Sequence, residues 1–95
     1  MTPSRFAAPL PPLNAAQILR AHGLRADKSL GQNFLQDSYA LEKITAVAEI
    51  LPTDTVLEVG PGLGALTRHL AAAAKQVIVV ELDERLLPPL REVLT

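Results

Sequence analysis

The stretch VLEVGPGLGALT, from Val56 to Thr67, sets the order of elements on which the reading of the whole chain depends. The β-branched run TVLEV, Thr55 to Val59, predicts a short strand. Gly60, Gly62 and Gly64 then predict a sharp turn, because a backbone without Cβ atoms can reverse and let a ligand approach closely. ALTRHLAAAAK, beginning near Gly64, has the alanine and leucine content of a helix, and QVIVVELD follows as a second apolar strand. Strand, glycine turn, helix and strand make a βαβ unit, and the unbroken VIVV predicts a parallel strand covered on both faces. The class is α/β.

Upstream of this unit, Asp37 predicts an N-cap for a helix in which Leu41, Ile44, Val47, Ala48 and Leu51 recur at helical spacing as one buried stripe, closed by Pro52. Further back, Asn14 caps a short helix, AAQILRAH, which Gly23 ends. Between these helices LRADKSLGQNFLQD has neither period and reads as a structured loop, and Pro3, Pro9, Pro11 and Pro12 make the first residues an extended lead-in. Downstream, Asp83 caps a last helix, ERLLPPLREVL, in which Pro88 and Pro89 predict a kink or a restart. Residues 1–35 thus form an amino-terminal arm and residues 36–95 the first part of a ligand-binding α/β domain.

With 95 residues the chain has room for one domain or part of one. At 48% hydrophobic and 20% charged it is globular, and with only Phe6, Phe34 and Tyr39 as aromatics its core must be aliphatic. The absence of cysteine excludes disulfides and thiolate metal sites, and His22 and His69 are too few and too far apart for a metal cluster, so no metal is expected. No apolar run has the length of a signal peptide core or a membrane span, and a cytoplasmic location is expected. The net charge of -1 hides an asymmetry. Residues 1–35 carry Arg5, Arg20, Arg25 and Lys28 against Asp27, hence +3, and residues 36–95 carry five basic and nine acidic residues, hence -4. A basic arm on an acidic body fits a polyanionic partner as well as it fits an ordinary solvated surface.

The glycine turn formally satisfies G-x-G-x-x-G/A at Gly60, Gly62 and Ala65, as a dinucleotide site does. Charge argues otherwise. A pyrophosphate at the helix amino terminus would lie close to the carboxylate of Glu58, two residues before the first glycine. S-adenosylmethionine (SAM) has no phosphate and carries a sulfonium and an ammonium, so an acidic strand end favours it. Glu81, 21 residues after Gly60, stands where an acidic side chain accepts ribose hydroxyls. The plainer alternatives are that Glu81 and Asp83 end a strand and cap a helix, and that Glu58 is a bridged strand-end carboxylate.

LGQNFL (Leu30 to Leu35), LEVGPGLGALT and VELD together resemble the ribosomal RNA adenine N6-dimethyltransferase family, from about residue 14 to the end. GPGLG alone would mark only a class I SAM-dependent methyltransferase, and GQNFL narrows the likeness to this family. Its antibiotic-resistance members acting on large-subunit RNA look more like Q-N-F with a G-S-G-K/R-G turn, so the forms found here are similar to the small-subunit branch, which dimethylates two adjacent adenosines during ribosome biogenesis. The resemblance implies a Rossmann-like class I methyltransferase fold, of which the helical arm and first βαβ unit are present. It implies SAM as cofactor, with Asn33 and Leu35 contacting it from the amino-terminal segment, Gly60 and Gly62 lining its methionine end and Glu81 binding its ribose. Gln32, Glu58 and Gly64 are further members of this set. Small-subunit rRNA or its precursor particle is the implied partner, with Arg20, Arg25 and Lys28 available to phosphates.

Methyl transfer to adenine N6 requires the amino group to be positioned and the base stacked. The family resembled does this with an N-L-P-Y-type motif, and the 95 residues contain none, so no catalytic residue is assigned. The expectation is the amino-terminal part of a longer, monomeric enzyme, inactive alone and, with an uncovered sheet, prone to self-association. A non-catalytic RNA-binding assembly factor, a large-subunit rRNA methyltransferase and an NAD-dependent oxidoreductase are the competing readings.

Overall fold

The computed structural model describes residues 10–25 and 37–95. Asn14 caps α1 (Ala15–Ala21) by accepting the Gln17 amide, and Gly23, at φ 69°, turns the chain out of it. Asp37 caps α2 (Ser38–Val47) by accepting the amides of Tyr39 and Ala40. The βαβ unit follows as β1 (Thr55–Val59), α3 (Ala65–Ala73) and β2 (Gln76–Val80). Thr55 to Val59 pair in step with Gln76 to Val80, in parallel, as the crossover helix requires.

Asp83 caps the last segment by accepting the Arg85 amide, and there the chain restarts as the prolines predict. A 3-10 turn (Glu84–Leu86) gives way to α4 (Leu87–Leu94), with both prolines in its first turn, where no intrahelical donor is needed. A small core joins the ends of the chain: Ala15 and Leu19 of α1 pack with Leu63 of the glycine turn and Leu86, flanked by Ile18 and Leu24. His22 Nε2 and Glu92 Oε2, 2.6 Å apart, tie α1 to α4, and Arg68 Nη2 donates to the Pro11 carbonyl at 2.6 Å.

Two expectations are corrected. The stripe on α2 is not buried as a whole: Leu41 and Thr45 are, against α3, whereas Ile44, Val47, Ala48 and Leu51 are exposed. The helix also stops at Val47, well before Pro52, because Glu49 takes a left-handed φ of 51° and rotates the residues after it off the helical face. Nor is β2 covered on both faces. Val56, Glu58, Val77 and Val79 are half-buried on the side of α3, and on the other side Leu57, Val59, Ile78 and Val80 are 45–70% exposed. One crossover helix covers one face of a sheet, and among the described residues no element covers the other.

Candidate functional site

The glycine turn begins as a continuation of the sheet, since the Gly60 amide donates to the Val80 carbonyl at 2.8 Å. Gly60, Gly62 and Gly64 then adopt φ of 73°, 59° and 85°, a run of left-handed conformations that residues with side chains rarely adopt. The turn closes when the Gly64 amide donates to the Pro61 carbonyl at 2.9 Å, and α3 starts when the Arg68 amide reaches the Gly64 carbonyl at 3.0 Å.

Glu81, just past β2, joins this turn to the next one. The Gly62 amide donates to its Oε1 at 3.1 Å and the Asp83 amide to its Oε2 at 2.9 Å. Each carboxylate oxygen has capacity for a second donor, so Glu81 can still accept hydroxyls. Sequence reasoning brought Gly60, Gly62 and Glu81 to one site, and the geometry brings them together. It missed that Gly62 and Asp83 hold the Glu81 carboxylate in place by their backbone amides, because main-chain partners leave no trace in residue identity.

Glu58 lies on the α3 side of β1, half-buried. Its Oε1 accepts the Thr67 hydroxyl at 2.5 Å, from a buried side chain in the first turn of α3. Burial pushes the Glu58 carboxyl above the usual carboxylate range, and the Thr67 hydroxyl, which favours the ionised form, partly offsets this. Thr67 escaped the sequence reading, although its place in the helix turn above the strand end was the available signal.

Gly64 is closely packed on its Cβ side. A Cβ there would lie 2.9 Å from Leu90 Cδ1 and 3.3 Å from Leu94 Cδ2, so α4 rests directly on this glycine. Among the described residues none but its chain neighbours lies within 4 Å of a Cβ placed at Gly60. Arg20 and Arg25 are exposed on and just after α1. Gln32, Asn33, Leu35 and Lys28 lie outside the described residues. Among the described residues no group of three or more His, Cys, Asp or Glu could hold a metal, and no helix is long and apolar enough to cross a membrane.

A ligand at this turn would meet a hydroxyl-accepting carboxylate at the end of β2 and a carboxylate near the amino end of α3, where a dinucleotide places its pyrophosphate. The pair of acceptor carboxylates fits a hydroxylated, cationic molecule such as SAM. Fold and site therefore define a Rossmann-like α/β unit with its ligand turn at the carboxyl edge of a parallel sheet.

A family profile described as Ribosomal RNA adenine dimethylase matches residues 23–95, and the chain belongs to this family. It is 52% identical over 83 residues to the Ribosomal RNA small subunit methyltransferase A of Pelotomaculum thermopropionicum, covering 87% of this chain and 28% of the relative. With the protein of the same name from Dehalococcoides mccartyi it is 50% identical over 86 residues, covering 90% of this chain and 30% of the relative. The fold is similar to the crystal structure of the 23S rRNA methyltransferase ErmE, at a TM-score of 0.61 and 50% identity over 65% of this chain and 25% of that one. A dimethyladenosine transferase from Plasmodium falciparum gives a TM-score of 0.59 and 37% identity over 63% of this chain and 22% of that one. These likenesses bear out the Rossmann-like methyltransferase class, and the chain spans less than a third of the curated relatives it matches.

Proposed function

We propose that this chain is the cofactor-binding part of a SAM-dependent methyltransferase that dimethylates N6 of two adjacent adenosines in small-subunit rRNA during ribosome biogenesis. The observation that carries the reading is the Glu81 carboxylate, locked between the Gly62 and Asp83 amides at the mouth of the glycine turn. Family membership and the names of the curated relatives support small-subunit rRNA over the large-subunit alternative.

In this reading Glu81 accepts the ribose hydroxyls, and the turn from Gly60 to Gly62 lines the methionine end of the cofactor. Glu58 supplies negative charge beside it, and Gly64 contributes by seating α4 under the turn. Asn33 and Leu35, with Gln32, contact the cofactor from the arm of residues 1–35, against the first part of the SAM-binding domain in residues 36–95. When bound, SAM supplies an electrophilic methyl group on its sulfonium. No residue of the chain is assigned to positioning the adenine. Arg20, Arg25 and Lys28 meet phosphates of the rRNA or precursor particle, which makes binding fall with salt. The expected setting is cytoplasmic, with the full-length enzyme a monomer and the 95-residue chain alone inactive and self-associating.

Titration calorimetry with SAM tests the core of this reading. Binding is expected in the full-length protein and is expected to weaken at least about tenfold in Glu81→Ala, as loss of a charge-assisted acceptor would dictate. Unchanged affinity in the variant removes the ribose assignment.

A further inference from the structure

The contact between Glu58 and Thr67 is not explained by the need to bind ribose or to turn the chain. Thr67 is buried, stands in the first turn of α3, and spends its hydroxyl on the Glu58 Oε1 at 2.5 Å rather than on a backbone group of its own helix. Among the described residues no Lys, Arg or His forms an ion pair with Glu58, and the neighbouring Arg68 reaches instead to the Pro11 carbonyl. Among the described residues the charge of Glu58 is therefore met by a neutral hydroxyl and by the positive end of the α3 dipole. We propose that Thr67 is a positioning residue: its hydroxyl fixes the Glu58 carboxylate near the amino end of α3, and the fixed anion makes the turn select a cationic, phosphate-free ligand over one that carries phosphate.

A helix amino terminus attracts anions, so an unoccupied one beside a glycine turn would accept a phosphate readily. An anion fixed there by its own chain satisfies the dipole and repels a second negative charge at the same place. A carboxylate free to rotate would do this less well, since it could swing toward water and leave the terminus to the ligand. The upward push of burial on the Glu58 carboxyl is consistent with a group that gains from a cation brought beside it. This inference rests on the cofactor reading of the same site.

The test compares SAM and ADP as probes on the full-length protein by titration calorimetry. Thr67→Val is expected to weaken SAM about tenfold and to narrow its preference over ADP, while Thr67→Ser, which restores the hydroxyl, stays within about twofold of the wild type. The double variant Thr67→Val with Glu58→Gln is expected to bind SAM no more weakly than Glu58→Gln alone, because the hydroxyl acts only through the carboxylate. Equal losses for SAM and ADP in Thr67→Val, or additive losses in the double variant, overturn the proposal. Should Thr67→Val fold poorly, the SAM-to-ADP ratio of Glu58→Gln decides the selectivity, and an unchanged ratio overturns it. An NMR titration of the Glu58 carboxyl without ligand separates the two levels: Thr67→Ser should match the wild type and Thr67→Val should titrate higher. A wild type that binds no SAM overturns the cofactor reading and the selectivity with it, and an unmoved Glu58 titration overturns the positioning alone.

Discussion

Gly60 and Gly64 share a left-handed backbone at φ 73° and 85° but have different neighbours. At Gly60 an alanine would meet only the conformational penalty, since none of the described residues but its chain neighbours lies within 4 Å of its Cβ, and the expected loss of stability is about 1 kcal/mol. At Gly64 the same penalty is joined by a Cβ 2.9 Å from Leu90 Cδ1, and Leu90 is buried, so its side chain must shift within the core to make room. Gly64→Ala is expected to cost about 3 kcal/mol, strain and overpacking together. Urea denaturation of the two variants checks this; equal midpoints would show that α4 does not rest on Gly64. The same comparison separates two jobs that the spacing of the glycines made look alike. Gly60 stays open to a ligand, and Gly64 is filled by α4.

At the scale of elements, α3 and β1 each carry a group, His69 and Glu58, whose titrations oppose one another. His69 is 1% exposed, and its Nε2 has no hydrogen-bond partner among the described residues. Burial above all, and then the charge of Arg68, holds its pKa below the usual 6.5, with Glu42 opposing. As pH falls below 6.5 the unfolded chain therefore takes up this proton before the folded one, and stability falls with it. Glu58 has the other sign: its raised pKa means that the folded chain takes up the proton first, so stability falls as pH rises from about 4.5 through its folded pKa. His69→Leu, which removes the orphaned nitrogen, is expected to abolish the downturn on acidification just below pH 6.5 and to leave the protein at least as stable at pH 8. Thermal midpoints measured from pH 8 to pH 5 decide it, and an unchanged slope in the variant would place the downturn elsewhere. The elements themselves were legible in the sequence. Asn14, Asp37 and Asp83 announce three starts by side-chain capping, and the two prolines announce the restart at α4, because each acts through local geometry. Burial was less legible. The spacing of Leu41, Ile44 and Val47 marks an apolar face, and VIVV marks an apolar strand, but periodicity contains nothing about which element arrives to cover them. The site divides in the same way: Glu81 and the glycines stand in a recognisable spacing, whereas Thr67 depends on the register between α3 and β1.

For the whole chain, the decisive feature is the open side of the two-stranded sheet. Leu57, Val59, Ile78 and Val80 form a continuous patch, Leu57 opposite Ile78 and Val59 opposite Val80, with Leu82 exposed just beyond. Contiguous apolar surface of this kind, on a sheet whose outer strand edges are unpaired among the described residues, favours association, and the residues beneath it contribute little to a core as long as they face water. The 95-residue chain alone is therefore expected to sediment as a mixture whose mean mass rises with concentration. Ile78→Lys and Val80→Lys put like charges on the centre of the patch, and each is expected to shift the chain toward monomer with less than about 1 kcal/mol lost in folding, because neither side chain is buried. Sedimentation equilibrium measures the first effect and denaturation the second. A wild-type chain that is monomeric at all concentrations and melts cooperatively would mean that the α3 side alone supplies enough buried surface. In that case the bond from Gly62 to Glu81, the contact of His22 with Glu92 and the packing of α1 on Leu63 hold more of the fold than their number suggests.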